Sequence, residues 1–296
     1  MAEIKFILGP MRLPFLILTP ACVALGFGTA LWTQGAVSAF QVTMVLVGAI
    51  AAHISVNAFN EYFDFKSGLD FHTRRTPFSG GSGTLPANPH MAKHALIVAI
   101  ATFSVVVSIG FYFLIVRGPA LLPIGALGLL LLIFYTPWIA HHPYLCLVAP
   151  GLGFGPFMVI GTHVALTGSC SWTALVASLI PFFLVSNLLL LNQFPDVEAD
   201  RNVGRRHLPI VIGRRASSLL YVGFLVMTYL VLIWGVYSQY LPKASLIGLA
   251  TAALAVPVSI GAYRYADNVA KLIPSMGLNV AINIFTPVLV SIGLII

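Results

Sequence analysis

Apolar stretches close to twenty residues long recur from one end of this chain to the other. Nine are distinguishable, at roughly 14–35, 40–61, 94–116, 119–139, 144–166, 172–194, 217–239, 244–263 and 277–296. Each, wound as a helix, is long enough to cross a hydrocarbon core of about 30 Å. Composition agrees: 8% of residues are charged and the mean hydropathy is +0.97, whereas soluble domains carry about a quarter charged residues. The pattern predicts an all-α, polytopic membrane protein with about nine transmembrane helices, forming a single transmembrane domain over 1–296. The first stretch exceeds a typical signal-peptide core and no small-residue cleavage site follows it, so it is read as a retained span.

Basic residues orient the chain. With the N-terminus in the cytoplasm, the cytoplasmic side receives Lys5, Arg12, Lys66, Arg74, Arg75, Lys93, Arg201, Arg205, Arg206, Arg214, Arg215, Arg264 and Lys271. Only Arg117 and Lys243, of the 15 Lys and Arg, fall on the other side. This is a positive-inside bias, and it supports an odd number of spans. The net charge of +7 then reflects topology and anion binding, not a nucleic-acid partner. Cys22, Cys146 and Cys170 lie in or beside apolar spans without metal-type or paired spacing.

The acids are distributed very differently. Of 8 in the chain, all but Glu3 and Asp267 fall in two short clusters, one after the second span and one after the sixth. The first runs Asn57-Ala-Phe-Asn60-Glu61-Tyr-Phe-Asp64-Phe-Lys66-Ser-Gly68-Leu-Asp70. A helix places Asn57, Asn60 and Asp64 on one face; Gly68 suits a helix end and leaves Asp70 on the loop beyond. The second cluster runs Asn192-Gln-Phe-Pro195-Asp196-Val-Glu198-Ala-Asp200-Arg201, and Asn192, Asp196 and Asp200 keep the same four-residue step, with Pro195 a potential bend. The matching placement suggests a pseudo-repeat of spans 1–4 and 5–8 plus a ninth span, as in other membrane proteins with internal symmetry.

Mg²⁺ prefers oxygen ligands and usually binds through one or two carboxylates plus phosphate oxygens and water. Two opposed carboxylate faces can therefore hold metal ions that bridge to a diphosphate and neutralise its charge as it leaves. Asn60 and Asn192 can add amide oxygens or hold a water. The plainer alternative is that these residues cap helices at the interface, with Asp196 and Asp200 paired to nearby arginines. It accounts less well for two matching clusters than for one.

Most cations lie in the loops after the clusters, where Arg offers phosphate a rigid fork and Lys a mobile charge. Topology alone explains Arg214 and Arg215; it explains Lys66, Arg74 and Arg205 less well, since they adjoin the acids. The run Ser79-Gly-Gly-Ser-Gly-Thr-Leu-Pro86 reads as a lid or a backbone cradle and matches no P-loop. His53 and His163 are intramembrane and read either as functional groups or as hydrogen-bonded structural ones. No His spacing suggests zinc. Among the aromatics, Tyr135 is the favoured candidate to line a cavity and stabilise a carbocation.

These blocks resemble the signatures of the UbiA superfamily of intramembrane prenyltransferases. Asn60-Glu-Tyr-Phe-Asp64-x₅-Asp70 is similar to the first aspartate-rich motif, in the longer-spaced form of the menaquinone-type branch. Asp196-Val-Glu-Ala-Asp200-Arg201-Asn-Val-Gly-Arg205-Arg206-His207-Leu-Pro209 is similar to the second. The resemblance implies a helical bundle around a central cavity open to lipid, with two Mg²⁺ at its cytoplasmic mouth. It implies ionisation of a polyprenyl diphosphate to an allylic cation and attack by an electron-rich acceptor, most simply an aromatic one in quinone synthesis. By motif position Asn60, Asp64, Asp70, Asp196 and Asp200 serve the metals, with Asp64, Asp196 and Asp200 essential to catalysis. Lys66, Arg74 and Arg205 grip the diphosphate, and Asn57, Tyr135 and Asn192 line the substrate cavity. Four features depart from the family pattern: Glu61 in place of Asp, Arg205 in place of Lys, His207 in place of Thr, and Tyr135-Thr-Pro-Trp138 in place of a Gly-Gly-Pro turn. They leave the acceptor open.

Two other readings remain at this point. One makes the acceptor an ether-lipid glycerol phosphate. The other is a cation-coupled secondary transporter, which would place its carboxylates near the bilayer midplane, whereas these gather at one interface.

Overall fold

The computed structural model describes residues 8–296, so Lys5 and Glu3 lie outside the described residues. It is all-helical there. Eight helices are long and apolar enough to cross a membrane, and a ninth, shorter apolar helix lies among them. We number them α1 (Gly9–Gln34), α2 (Ala39–Ser67), α3 (Pro89–Arg117), α4 (Pro119–Phe134), α5 (Pro143–Thr167), α6 (Trp172–Asn192), α7 (Arg214–Tyr237), α8 (Lys243–Arg264) and α9 (Val269–Ile295). Each corresponds to one of the nine stretches expected from the sequence.

Helix α1 packs against α5, α6 and α9 at the centre; α2 and α3 pair on one flank, and α7 and α8 close the other. The largest buried cluster joins α1 and α5–α9 through residues such as Leu25, Ile180, Leu184, Leu232 and Ile282. Outward faces are equally apolar: Ile97, Ile100, Phe111 and Ile115 on α3 and Leu219, Leu230 and Ile233 on α7 are exposed. Such continuous apolar surface belongs against lipid.

With lipid outside, burial of apolar surface does not by itself hold helices together, and close approach through small residues takes over. Gly155 on α5 is an instance: a Cβ there would lie 2.5 Å from the Ser178 carbonyl oxygen and 2.8 Å from the Phe182 nitrogen of α6. Helix α5 also carries Pro150 and Pro156, and between Gly153 and Ile160 it widens into a π-helical stretch. Proline has no N–H to give the preceding turn and its ring crowds that turn, and π-bulges are one way a helix absorbs such a break. At the end away from the acids, Arg117 donates to the Ala165 and Leu166 carbonyls and to Gln41 Oε1 (2.6 Å). It thereby satisfies carbonyls that the end of α5 leaves without helical partners.

Candidate active site

A cavity of about 900 Å³ runs inside the bundle between α1, α2, α3, α4, α5, α6 and α9. At one end its wall contains Asp64, Asp70, Asp196, Asp200 and Arg205; toward the other it is apolar, with Val45, Phe113 and Leu121. Both acid clusters thus meet at one mouth.

On α2 the four-residue step works as the sequence suggests. Asn57, Asn60 and Asp64 all line the cavity. The helix ends at Gly68, whose φ of 81° lies in the left-handed region that glycine enters without steric cost. The chain then turns through Leu69–Phe71, which brings Asp70 back into the wall. The second cluster is less regular than a continued helix. Helix α6 stops at Asn192, and Val197–Asn202 forms a separate short helix. Pro195 lacks the N–H that continuation needs. The Asp200 nitrogen still bonds the Asp196 carbonyl at 2.9 Å, and Asn192, Asp196 and Asp200 all face the cavity.

Arg205 joins the two clusters. Its guanidinium pairs with Asp64 Oδ1 and with Asp200 Oδ1, the latter at 3.1 Å. His207 Nε2 meets the other Asp200 oxygen at 2.9 Å. Burial would raise the Asp200 pKa, but the His207 hydrogen bond and the Arg205 charge hold it below the usual carboxylate range. At Asp70 and Asp196 the same arginine charge is outweighed. Burial first, then neighbouring carboxylates (Glu61 and Asp64 for Asp70, Asp200 for Asp196), push both up to about 7.

Lys66 and Arg74 are exposed and lie outside the cavity wall. Lys66 follows Asp64 by two positions on a helix that runs through Ser67, which turns it to the opposite side; its ammonium rests 5.9 Å from the Tyr62 ring. Of the three cations expected at the diphosphate, only Arg205 is gathered with the acids. Tyr135 lines the cavity, and the Thr136 hydroxyl after it accepts from Asn60 Nδ2 at 3.3 Å. His53 also lines it, bonded to Thr19 Oγ1 at 2.8 Å, whereas His163 pairs with Thr29 outside the wall.

The sequence did not point to Arg12 as a wall residue, yet it lines the cavity, together with Ser79, Gly80 and Gly81 of the Gly/Ser run read as a lid or cradle. Arg12 donates from Nε to Glu61 Oε1 at 2.7 Å, and Glu61 also accepts from the Ser82 backbone N–H (2.7 Å) and hydroxyl (2.8 Å). Glu61 is fully buried. It ties the start of α1 and the Gly/Ser run to the end of α2. Arg12 has a φ of 49°, sparsely populated by non-glycine residues. The only advance signal for it was a cation just ahead of a span.

The donor set at the mouth is mainly oxygen, with the buried, unpaired Nδ1 of His207 beside it. Asp70 Oδ2, Asn192 Oδ1 and Asp196 Oδ1 are buried with no hydrogen-bond partner, and buried acceptors are normally satisfied. Among the described residues no group of three His, Cys, Asp or Glu stands close enough to hold a metal alone. A hard cation would fit here as one that takes its remaining oxygens from a ligand and water, which is the habit of Mg²⁺.

Comparison with known proteins agrees in sequence and in shape. The UbiA prenyltransferase family matches residues 18–279. A 1,4-dihydroxy-2-naphthoate octaprenyltransferase of Bacillus subtilis (strain 168) is 27% identical, over 85% of this chain and 80% of its own. The apo structure of a UbiA homolog from Aeropyrum pernix K1 superposes with a TM-score of 0.73 at 16% identity, over 95% of this chain and 97% of that one. A UbiA homolog from Archaeoglobus fulgidus bound to GPP and Mg²⁺ superposes with a TM-score of 0.64 at 11% identity, over 98% and 99%. Matched along most of its length, and built as a multi-pass membrane bundle around a cavity, the chain belongs to the UbiA prenyltransferase family.

Proposed function

We propose that this protein transfers a polyprenyl group from a polyprenyl diphosphate to an aromatic acceptor of the kind used in quinone synthesis, with Mg²⁺ as cofactor. The observation that carries the reading is the meeting of two acid clusters, with unpaired acceptor oxygens, at the mouth of a long apolar cavity. A polyprenyl diphosphate has the same polarity: a polyanionic head and a hydrocarbon tail. The Bacillus relative's naphthoate acceptor supports an aromatic partner, and the GPP- and Mg²⁺-bound Archaeoglobus homolog supports the cofactor.

Asp64, Asp70, Asp196 and Asp200, with Asn60, would hold the metal, two ions being the expected number. Mg²⁺ bound there supplies Lewis-acid neutralisation of the departing diphosphate. Arg205 offers that diphosphate a fixed fork of donors and keeps the two acid clusters together. The apolar wall orients the tail and keeps water from the reacting carbon. Tyr135 lends its ring face to the positive charge that develops there. The bias of basic residues toward these loops supports a cytoplasmic position for the mouth.

The test is prenylation by purified protein in detergent. A geranylgeranyl or longer diphosphate is supplied with dihydroxynaphthoate, hydroxybenzoate or glycerol-phosphate acceptors, in Mg²⁺ and in EDTA. Prenylated aromatic product and released diphosphate, both abolished by EDTA, are expected. Product from the glycerol-phosphate acceptor alone would transfer the assignment to ether-lipid synthesis; no product from folded protein with any acceptor would overturn it.

A further inference from the structure

The cavity has two unlike walls. The α2–α4 side, deep to the mouth, is hydrocarbon surface apart from His53, whose Nδ1 is already bonded to Thr19, and is represented by Gly48, Val107 and Leu129. The α6 and α9 side carries amides. Asn283, midway along α9, lines the cavity with Val280 and Ile284 and is itself 1% exposed. Its Nδ2 donates to the Asn279 carbonyl (2.9 Å) and to Asn279 Oδ1 (3.3 Å). Because a carbonyl can only accept, this contact settles which end of the amide is nitrogen. The other end, Asn283 Oδ1, is buried without a partner. The Tyr221 hydroxyl donates to Asn279 Oδ1 at 2.9 Å, so the Asn283 amide is held from behind by a bonded pair that stays out of the cavity wall. Asn279 Nδ2 and Asn187 Oδ1, in the same buried cluster, are likewise unpaired but do not line the cavity.

A polar group at this depth is a functional candidate by default, and an unpaired buried acceptor is unfavourable until something donates to it. Neither substrate half already placed can do so: the prenyl tail has no donor, and a diphosphate brings only acceptors. We infer that Asn283 is a specificity-determining residue for the acceptor, its Oδ1 accepting a hydrogen bond from an acceptor hydroxyl. This rests on the prenyltransferase reading and deepens it. The ligand chemistry is a hydroxyl donor on an otherwise apolar body, which a phenolic ring or a glycerol alcohol can supply.

The experiment compares the wild type with Asn283→Leu, using a dihydroxynaphthoate, its mono-O-methyl ethers and a glycerol-phosphate acceptor. A site that bonds a hydroxyl rejects the analogue lacking it strongly, so the wild type should favour the free diol over one of its ethers by at least about a hundredfold in kcat/KM. In Asn283→Leu that ratio should fall to within about threefold, with the KM for prenyl diphosphate unchanged within the same factor. If the glycerol-phosphate acceptor is the one turned over, a fall of at least about tenfold in its kcat/KM in Asn283→Leu, with the KM for prenyl diphosphate unchanged, would identify the hydroxyl as aliphatic and still support the role of Asn283. A variant that keeps the wild-type preference, or loses affinity for both substrates alike, overturns it. Should Asn283→Leu fail to fold, equal turnover of diol and ethers by the wild type does so as well. Wild-type protein that prenylates no hydroxylated acceptor overturns the functional reading itself, a separate outcome.

Discussion

Asp70 and Asp196 titrate near 7 because burial and like-charged neighbours disfavour their ionised forms. Metal binding requires the carboxylates, so protons compete with Mg²⁺ below that value. Between pH 8 and pH 6, the Mg²⁺ concentration giving half-maximal turnover should rise by about tenfold for each of the two acids that binds metal. Mg²⁺ titrations of the prenylation rate at both values check this, and a flat dependence would remove both acids from the metal site. Asp64→Asn and Asp196→Asn should each lower kcat/KM by at least about a hundredfold, the scale of losing several kcal/mol of charge stabilisation. Asp64→Asn still leaves Arg205 its Asp200 partner, so normal gel filtration should accompany the loss; full activity in both variants would sink the assignment. These acids were legible in the sequence because lipid excludes carboxylates everywhere else, leaving position itself as the signal. Arg12 was not, since a cation before a span is already explained by topology. Nor was Asn283, which belongs to neither motif and shows its unpaired oxygen only once α9 is packed.

The elements explain how a mouth assembled from four chain segments stays in register. Buried Glu61 fixes both Arg12 and Ser82, and removing one partner of a buried pair strands the other. Glu61→Ala should therefore free the segment around Ser82, read as faster proteolytic cleavage between residues 72 and 83. An unchanged cleavage rate would show that the loop is held by other contacts. At the α5–α6 contact, Gly155→Leu has no room against the Ser178 carbonyl. Overpacking costs about 1–3 kcal/mol or more, so the variant should unfold at lower temperature in detergent, whereas Gly125→Leu, with open space at its Cβ, should not. All nine helices were legible as apolar stretches, but their ends were not. Helix α9 begins at Val269, capped by the Asn268 side chain on the Lys271 nitrogen, well ahead of the expected 277, because its first turns carry Lys271 and Pro274 and run beyond the apolar stretch. The break at Pro195 was only a potential bend in sequence, since whether a proline kinks or ends a helix depends on what replaces the lost hydrogen bond.

At the scale of the whole molecule, the mouth gathers nearly all the charge at one end of the bundle, and which compartment that end faces decides where the diphosphate must come from. The 15 Lys and Arg give the reading, with only Arg117 and Lys243 at the far end, and Arg117 is engaged there with the α5 carbonyls. Native thiols provide the test. Cys170 is exposed in the turn between α5 and α6, at the end away from the acids, while Cys22 and Cys146 are buried. A membrane-impermeant maleimide added to intact cells expressing the protein should label Cys170 and spare the other two. In a Cys170→Ser background, Arg74→Cys puts a thiol on the exposed loop beside the mouth, and it should label only after the membrane is permeabilised. The reverse pattern would put the acids outside the cell and require the positive-inside reading to be abandoned, with the diphosphate then drawn from the outer compartment. Labelling as expected would fix the mouth on the cytoplasmic side, as the positive-inside reading of the basic loops expects.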